Sequence, residues 1–224
     1  MSEFYPKQYN EMADNYSDMF SEMNKKSIEE FNNFLSPFDL SNKKIVDLGC
    51  GEGHLISYLK EKGANCSGVD ASDEMVEIAK NRTSADVRVE SFSKTSFENN
   101  EFDFVVSKWA IQTIDEIEPV YRETLRILKP GGYFIFLVVH PFRHFLEKKK
   151  QGKDYFKKEI VESIIFKGTI TVKEPSHTMT DYLSEFFLKN FELEIFFESH
   201  EFPGAEQING DIYPTHFIIK ARKK

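Results

Sequence analysis

The chain has 224 residues, a length that suits one large domain with an ample hydrophobic core. Its 37 acidic residues outnumber 29 basic ones, giving a net charge of −8, which argues against a general nucleic-acid binder with its basic face. MSEFYPK at the start carries no signal-peptide pattern, no apolar run nears the roughly 20 residues that span a bilayer, and the two cysteines form neither a disulfide framework nor a metal-ligand spacing.

A cytoplasmic protein is therefore expected, with no metal, no membrane span and no nucleic-acid partner. In chain order, helical periodicity covers 8–20 and 24–35, the second stopped by Pro37. The first strand, 44–49, runs into IVDLGCGEG (45–53), the most informative segment of the chain. Ile45, Val46 and Leu48 suit a buried parallel strand, and Gly49, Gly51 and Gly53 remove three side chains from the turn that follows. Helix 53–62 comes next, with Leu55, Ile56 and Leu59 on one face. Strand 65–70 ends at Asp70, placed to accept both hydroxyls of a ribose.

Such a unit binds a nucleotide-like ligand, and two ligands compete. A dinucleotide site wants G-x-G-x-x-G, but the last position here is His54, and Asp47 before the turn would repel a diphosphate. S-adenosylmethionine carries an ammonium and a cationic sulfur, which a carboxylate suits. The spacing G-x-G-x-G after Asp47 therefore favours methyl transfer over hydride transfer.

Helix 72–80, N-capped by Ser72 or Asp73, leads to strand 86–90, strand 102–107 and helix 115–128, which Pro130, Gly131 and Gly132 are expected to stop. Strand 133–139 (YFIFLVV) is almost wholly apolar and so central. Strand–helix alternation to this point implies a parallel sheet with right-handed crossovers. Residues 140–175 break the pattern with a lysine-rich stretch and the alternating run SIIFKGTITV. A helix from Thr178 or Thr180 to Lys189 precedes two closing strands, FELEIFFES and DIYPTHFIIKARKK, expected to pair antiparallel.

The segments VDLGCGEG (46–53), GVDASDEMVEIAK (68–80), EFDFVVSKWAIQTI (101–114) and LRILKPGGYFIFLV (125–138) resemble the class I S-adenosylmethionine-dependent methyltransferases, in particular the small-molecule group near the ubiquinone and menaquinone methyltransferases. The resemblance covers residues 40–140 and is specific for fold and cofactor rather than acceptor. It implies a Rossmann-like α/β three-layer sandwich, a seven-stranded mostly parallel sheet with a C-terminal antiparallel hairpin and helices on both faces. It implies that Asp47 holds the cofactor's amino group, that Gly49, Cys50 and Gly51 line its methionine moiety, and that Asp70 takes the ribose. Ala71 and Met75 would pack on the adenine, with Phe92 at its edge. Ser91 stands where the family often carries an acid for the adenine amino group, Lys108 and Trp109 begin the segment facing the sulfonium, and Gln112 replaces a histidine of many relatives. YNEMADNY (9–16) is similar to the family's lid helix, which would bring Tyr9 to the acceptor and Tyr16 to the cofactor carboxylate.

In-line methyl transfer needs positioning above all, and a base only where the acceptor demands one. His140 directly follows the fifth strand, in HPFRHF, and is the candidate base and pocket residue; His144, His177 and His200 are weaker ones. Arg143 is a candidate partner for an acceptor carboxylate, and Trp109 and Phe142 for stacking on a flat acceptor. The expectation is one domain: lid helices in 1–36, a cofactor core in 40–139, a substrate-side insertion in 140–175, and a closing helix and hairpin in 176–224. It moves a methyl group from S-adenosylmethionine to O, N or C of a small molecule, leaving S-adenosylhomocysteine, as a monomer or homodimer. The alternatives are a protein or peptide side-chain methyltransferase and a non-catalytic binder of the cofactor. A dehydrogenase ranks third.

Overall fold

The computed structural model describes residues 8–9, 24–148, 151–165, 170–200 and 210–224. The elements are α1 (Lys25–Leu35), β1 (Lys44–Leu48), α2 (His54–Glu61), β2 (Asn65–Asp70), α3 (Asp73–Thr83), β3 (Asp86–Val89), β4 (Phe102–Lys108), α4 (Glu118–Ile127), β5 (Leu128–Val139), α5 (Pro141–Glu147), β6 (Ile160–Ile165), β7 (Ile170–Pro175), α6 (Met179–Tyr182), α7 (Glu185–Asn190), β8 (Phe191–Ser199) and β9 (His216–Lys223). A 3-10 turn at Ile111–Thr113 follows β4.

Seven strands form one sheet in the order β3-β2-β1-β4-β5-β9-β8, and β6 pairs with β7 apart from it. The first five are mutually parallel, and β9 runs antiparallel between β5 and β8. Strand periodicity sorts side chains between the two faces. Val46, Leu48, Val105, Phe134, Phe136 and Val138 face α4 and α7 with Tyr121 and Phe187. Ile45, Phe104, Val106, Ile135 and Leu137 face α1 and α2 with Phe31, Leu35, Leu55 and Leu59. Both faces are covered, so the central strands read as continuous apolar runs. This is the expected sandwich, with the closing antiparallel pair.

Three expectations change in detail. The fourth helix ends at Ile127, before Pro130: Leu128 is already extended (ψ 135°), its N–H bonded to Thr124 O, and β5 begins there. The run SIIFKGTITV spans two antiparallel strands, with Ile160 facing Pro175 and Ser163 facing Val172. The helix expected to reach Lys189 is two, because Ser184 takes an extended backbone and accepts from Phe187 N–H as a fresh N-cap. Ser72 is the N-cap of α3, accepting from Met75 N–H.

Candidate functional site

The C-terminal ends of β1, β2 and β4 open onto a cleft, the place where α/β sheets bind their ligands. The glycine turn forms its floor. Gly49 N–H and Cys50 N–H both donate to Val69 O, at 2.8 and 3.0 Å, tying the turn to the end of β2. Gly49 has φ +75°, and a Cβ there would sit 2.2 Å from Ala110 Cβ, so only glycine fits. Gly51 differs. Its φ is +50°, yet a Cβ would meet nothing within 4 Å, because that side of the turn is the cleft itself.

Two acids define the electrostatics. Asp70 accepts from Gly51 N–H (2.8 Å) and Ser72 N–H (3.0 Å), which fixes its carboxylate at the tip of β2. Burial raises its pKa, against the pull of those amides. Asp47 is 3% exposed, and its Oδ1 has no hydrogen-bond partner among the described residues. Burial and the Asp70 charge push its pKa up to about 7, opposed by Lys108. A buried carboxylate with a bare oxygen is complementary to a cationic donor.

At the mouth, Glu52 is held by Arg82 Nη2 at 3.2 Å and His54 Nε2 at 3.3 Å. Arg82 Nη1 also donates to Glu52 O at 3.2 Å, so α3 grips the turn from outside. Trp109 leaves β4 with φ +58°, a strained value for a bulky side chain, its N–H held by Leu137 O at 2.9 Å. Burial raises both cysteine thiols, Cys66 to about 12 and Cys50 well above the usual thiol range, so neither is a nucleophile near neutral pH. No group of His, Cys, Asp and Glu able to hold a metal occurs among the described residues.

The cleft is lined by Asp47, Gly49, Cys50, Gly51, Asp70, Ala71, Met75, Phe92 and Lys108 of the expected cofactor residues, and by Tyr9 and Trp109 of the expected acceptor residues. Glu52, Leu55, Ala110 and Thr113 join them unforeseen, and His54, the first residue of α2, lines the cleft too. Their signal lay in adjacency: Glu52 splits two of the glycines, and Ala110 and Thr113 follow Trp109. Tyr16 lies outside the described residues. Ser91 is not in the lining; its hydroxyl is bonded to Ser93 at 2.7 Å.

Gln112, His140 and Arg143 are also absent from the lining. Arg143 Nε pairs with Glu147 at 2.9 Å rather than facing an acceptor carboxylate. His140 is the N-cap of α5. Its Nδ1 accepts from Phe142 N–H at 3.0 Å, which places the ring proton on Nε2, 2.8 Å from Glu198 Oε1. Burial lowers its pKa. With both nitrogens engaged, neither is turned to the cleft as the sequence expectation of a base requires.

Residues 46–136 match the family model described as methyltransferase domain. An uncharacterized protein of Methanocaldococcus jannaschii is 35% identical over 127 residues, 57% of this chain and 49% of its own length. The ubiquinone biosynthesis O-methyltransferase of Bartonella tribocorum is 32% identical over 103 residues, 44% of this chain and 41% of its own. The chain thus spans about half the length, or less, of these curated relatives. Among solved structures, an S-adenosylmethionine-dependent methyltransferase from Mesorhizobium loti superposes with a TM-score of 0.70 at 20% identity, covering 87% of this chain and 96% of that one. Residues 46–136, which hold the glycine turn between its two acids, thus match a methyltransferase domain, and the strand order gives the chain the fold of that solved S-adenosylmethionine-dependent methyltransferase.

Proposed function

We propose that the chain transfers a methyl group from S-adenosylmethionine to a small-molecule acceptor. The observation that carries this reading is the unpartnered Oδ1 of buried Asp47, set beside the open face of Gly51 and the fixed carboxylate of Asp70. An ammonium group satisfies Asp47, a ribose diol satisfies Asp70, and a main chain bare of side chains between them lets a ligand lie close. Met75, Ala71 and Phe92 supply an apolar slot for an adenine ring. When bound, the cofactor supplies an electrophilic methyl carbon on a cationic sulfur.

The protein's own work is placement. Trp109, Lys108, Ala110 and Thr113 form the wall at the end of β4, and Tyr9 joins the lining. Gln8, next to Tyr9, exchanges two hydrogen bonds with the Lys173 main chain, which ties Tyr9's neighbour to β7. A cleft walled by aromatic and apolar side chains favours a small acceptor over a protein side chain. Holding two reactants in line is worth up to roughly 7–11 kcal/mol in favourable cases, so a site without a catalytic triad suffices.

The test is turnover. With pooled small metabolites as acceptors, formation of S-adenosylhomocysteine should exceed the rate without acceptor, and a methylated small molecule should appear by mass spectrometry. Turnover only with proteins or peptides would shift the reading to a side-chain methyltransferase. Cofactor binding with no turnover on any acceptor would favour a binding protein.

A further inference from the structure

Outside the cleft, five buried side chains crowd between the Ile111–Thr113 turn, α5, β7 and α6. They carry six polar atoms with no hydrogen-bond partner among the described residues: Gln112 Oε1, both ring nitrogens of His144, Glu174 Oε2, His177 Nδ1 and the Tyr182 hydroxyl. None of the five residues is more than 3% exposed. His144 Nε2 stands 3.5 Å from Glu174 Oε1, His177 Nε2 lies 3.2 Å from Gln112 O, and the His177 and Tyr182 rings are 5.5 Å apart. Each half also feels the other. His177 lies within electrostatic reach of His144, and Tyr182 within that of Glu174.

Native folds leave few buried polar atoms unpaired, and six in one place call for a polar guest. The cluster adjoins the cleft along the chain at two points. Gln112 lies between Ala110 and Thr113, which line the cleft, and Glu174 follows Lys173, which is bonded to Gln8 beside Tyr9. Glu174 brings a carboxylate with a bare oxygen, Asp181 is held by the Thr178 cap, and burial holds His177 neutral, with a pKa lowered to about 4. The neighbouring cations are engaged: Arg143 with Glu147, Lys148 with the carbonyls of Asp154 and Lys157, and Lys158 with Glu116. Among the described residues these lysines and the arginine are thus taken, while Glu174 Oε2 and Gln112 Oε1 stand open as acceptors.

Resting on the methyl-transfer reading, the geometry points to an anchoring subsite for the acceptor that takes a protonated amine or a similar N–H-rich head group. Glu174 Oε2 and Gln112 Oε1 accept from it, and His144 and Tyr182 complete the shell. The acceptors are then amine-bearing small molecules, and those carrying a carboxylate or phosphate at that end are rejected.

The test uses the full chain saturated with S-adenosylhomocysteine and three probes, n-butylamine, imidazole and butyrate, with the histidine ring signals followed by NMR. Butylamine or imidazole should shift the His144 and His177 signals and butyrate should not; Glu174→Gln should weaken the effective probe at least tenfold and leave S-adenosylhomocysteine affinity unchanged. Tyr182→Phe keeps the ring packed on Phe217 and His177; it should weaken the same probe and serves if Glu174→Gln does not fold. Binding of S-adenosylhomocysteine with ring signals that ignore all three probes, or that answer butyrate equally, overturns the subsite alone. Failure to bind S-adenosylhomocysteine overturns the methyl-transfer reading beneath it.

Discussion

Acidification should weaken cofactor binding through Asp47. The carboxylate must be ionised to hold an ammonium group, and in the empty site its pKa is pushed up to about 7 by burial and by the Asp70 charge. The ionised fraction then rises from roughly one tenth at about pH 6 to about three quarters at about pH 7.5, so affinity grows about eightfold. The cofactor's own α-amino group, with an ordinary pKa near 8, loses some charge over that interval, which trims the gain to about sixfold. Calorimetric titration with S-adenosylhomocysteine across this range reads the slope directly. Asp47→Asn should bind more weakly and show a flat profile. The same carboxylate destabilises the empty fold. Because its folded pKa lies above the usual value of about 3.9, its contribution is most favourable below about pH 4 and is lost as pH rises through about 7. Near pH 8 the Asp47→Asn protein should therefore melt above wild type without ligand, and show little further rise with it. A wild-type affinity independent of pH, or an equal slope in Asp47→Asn, would refute the assignment of Asp47 as the ammonium partner.

The two inner glycines should separate folding from binding. Gly49→Ala drives a Cβ to 2.2 Å from Ala110 Cβ and should cost about 1–3 kcal/mol in a denaturant titration. Gly51→Ala meets no protein atom, so its stability cost is only the left-handed backbone term, about 1–2 kcal/mol, yet its methyl group enters the cleft and should weaken S-adenosylhomocysteine strongly. His140→Ala removes an N-cap and should cost about 0.5–2 kcal/mol in stability while turnover stays within a few-fold; a loss of two or more decades in kcat would restore it as a base. Tyr121→Phe leaves the buried Tyr182 carbonyl without its 2.9 Å donor and should cost about 1–3 kcal/mol by thermal melting, with cofactor affinity unchanged.

Legibility in the sequence followed the range of the causes. The β1–turn–α2 unit was readable because its determinants are local: three glycines with φ of +75°, +50° and +81°, and apolar periods of two and then 3.6. The end of α4 was not, since Pro130 and Gly131 stand in a strand bonded to β4, and no stop signal marks Leu128. His140 read as a pocket residue and candidate base at a strand end, but its partner Glu198 comes from β8, 58 residues on. The cluster of His144, Glu174 and His177 was invisible for the same reason. A hairpin and a turn bring it together, and a single sequence carries no mark of their meeting.

The most direct test is calorimetric titration of S-adenosylmethionine, S-adenosylhomocysteine and NAD into wild type and Asp70→Ala. The structure predicts binding of the first two to wild type and its loss in Asp70→Ala, because Asp70 is fixed by Gly51 and Ser72 for a ribose diol. Binding of NAD alone, or affinity for the first two that survives Asp70→Ala unchanged, would contradict it.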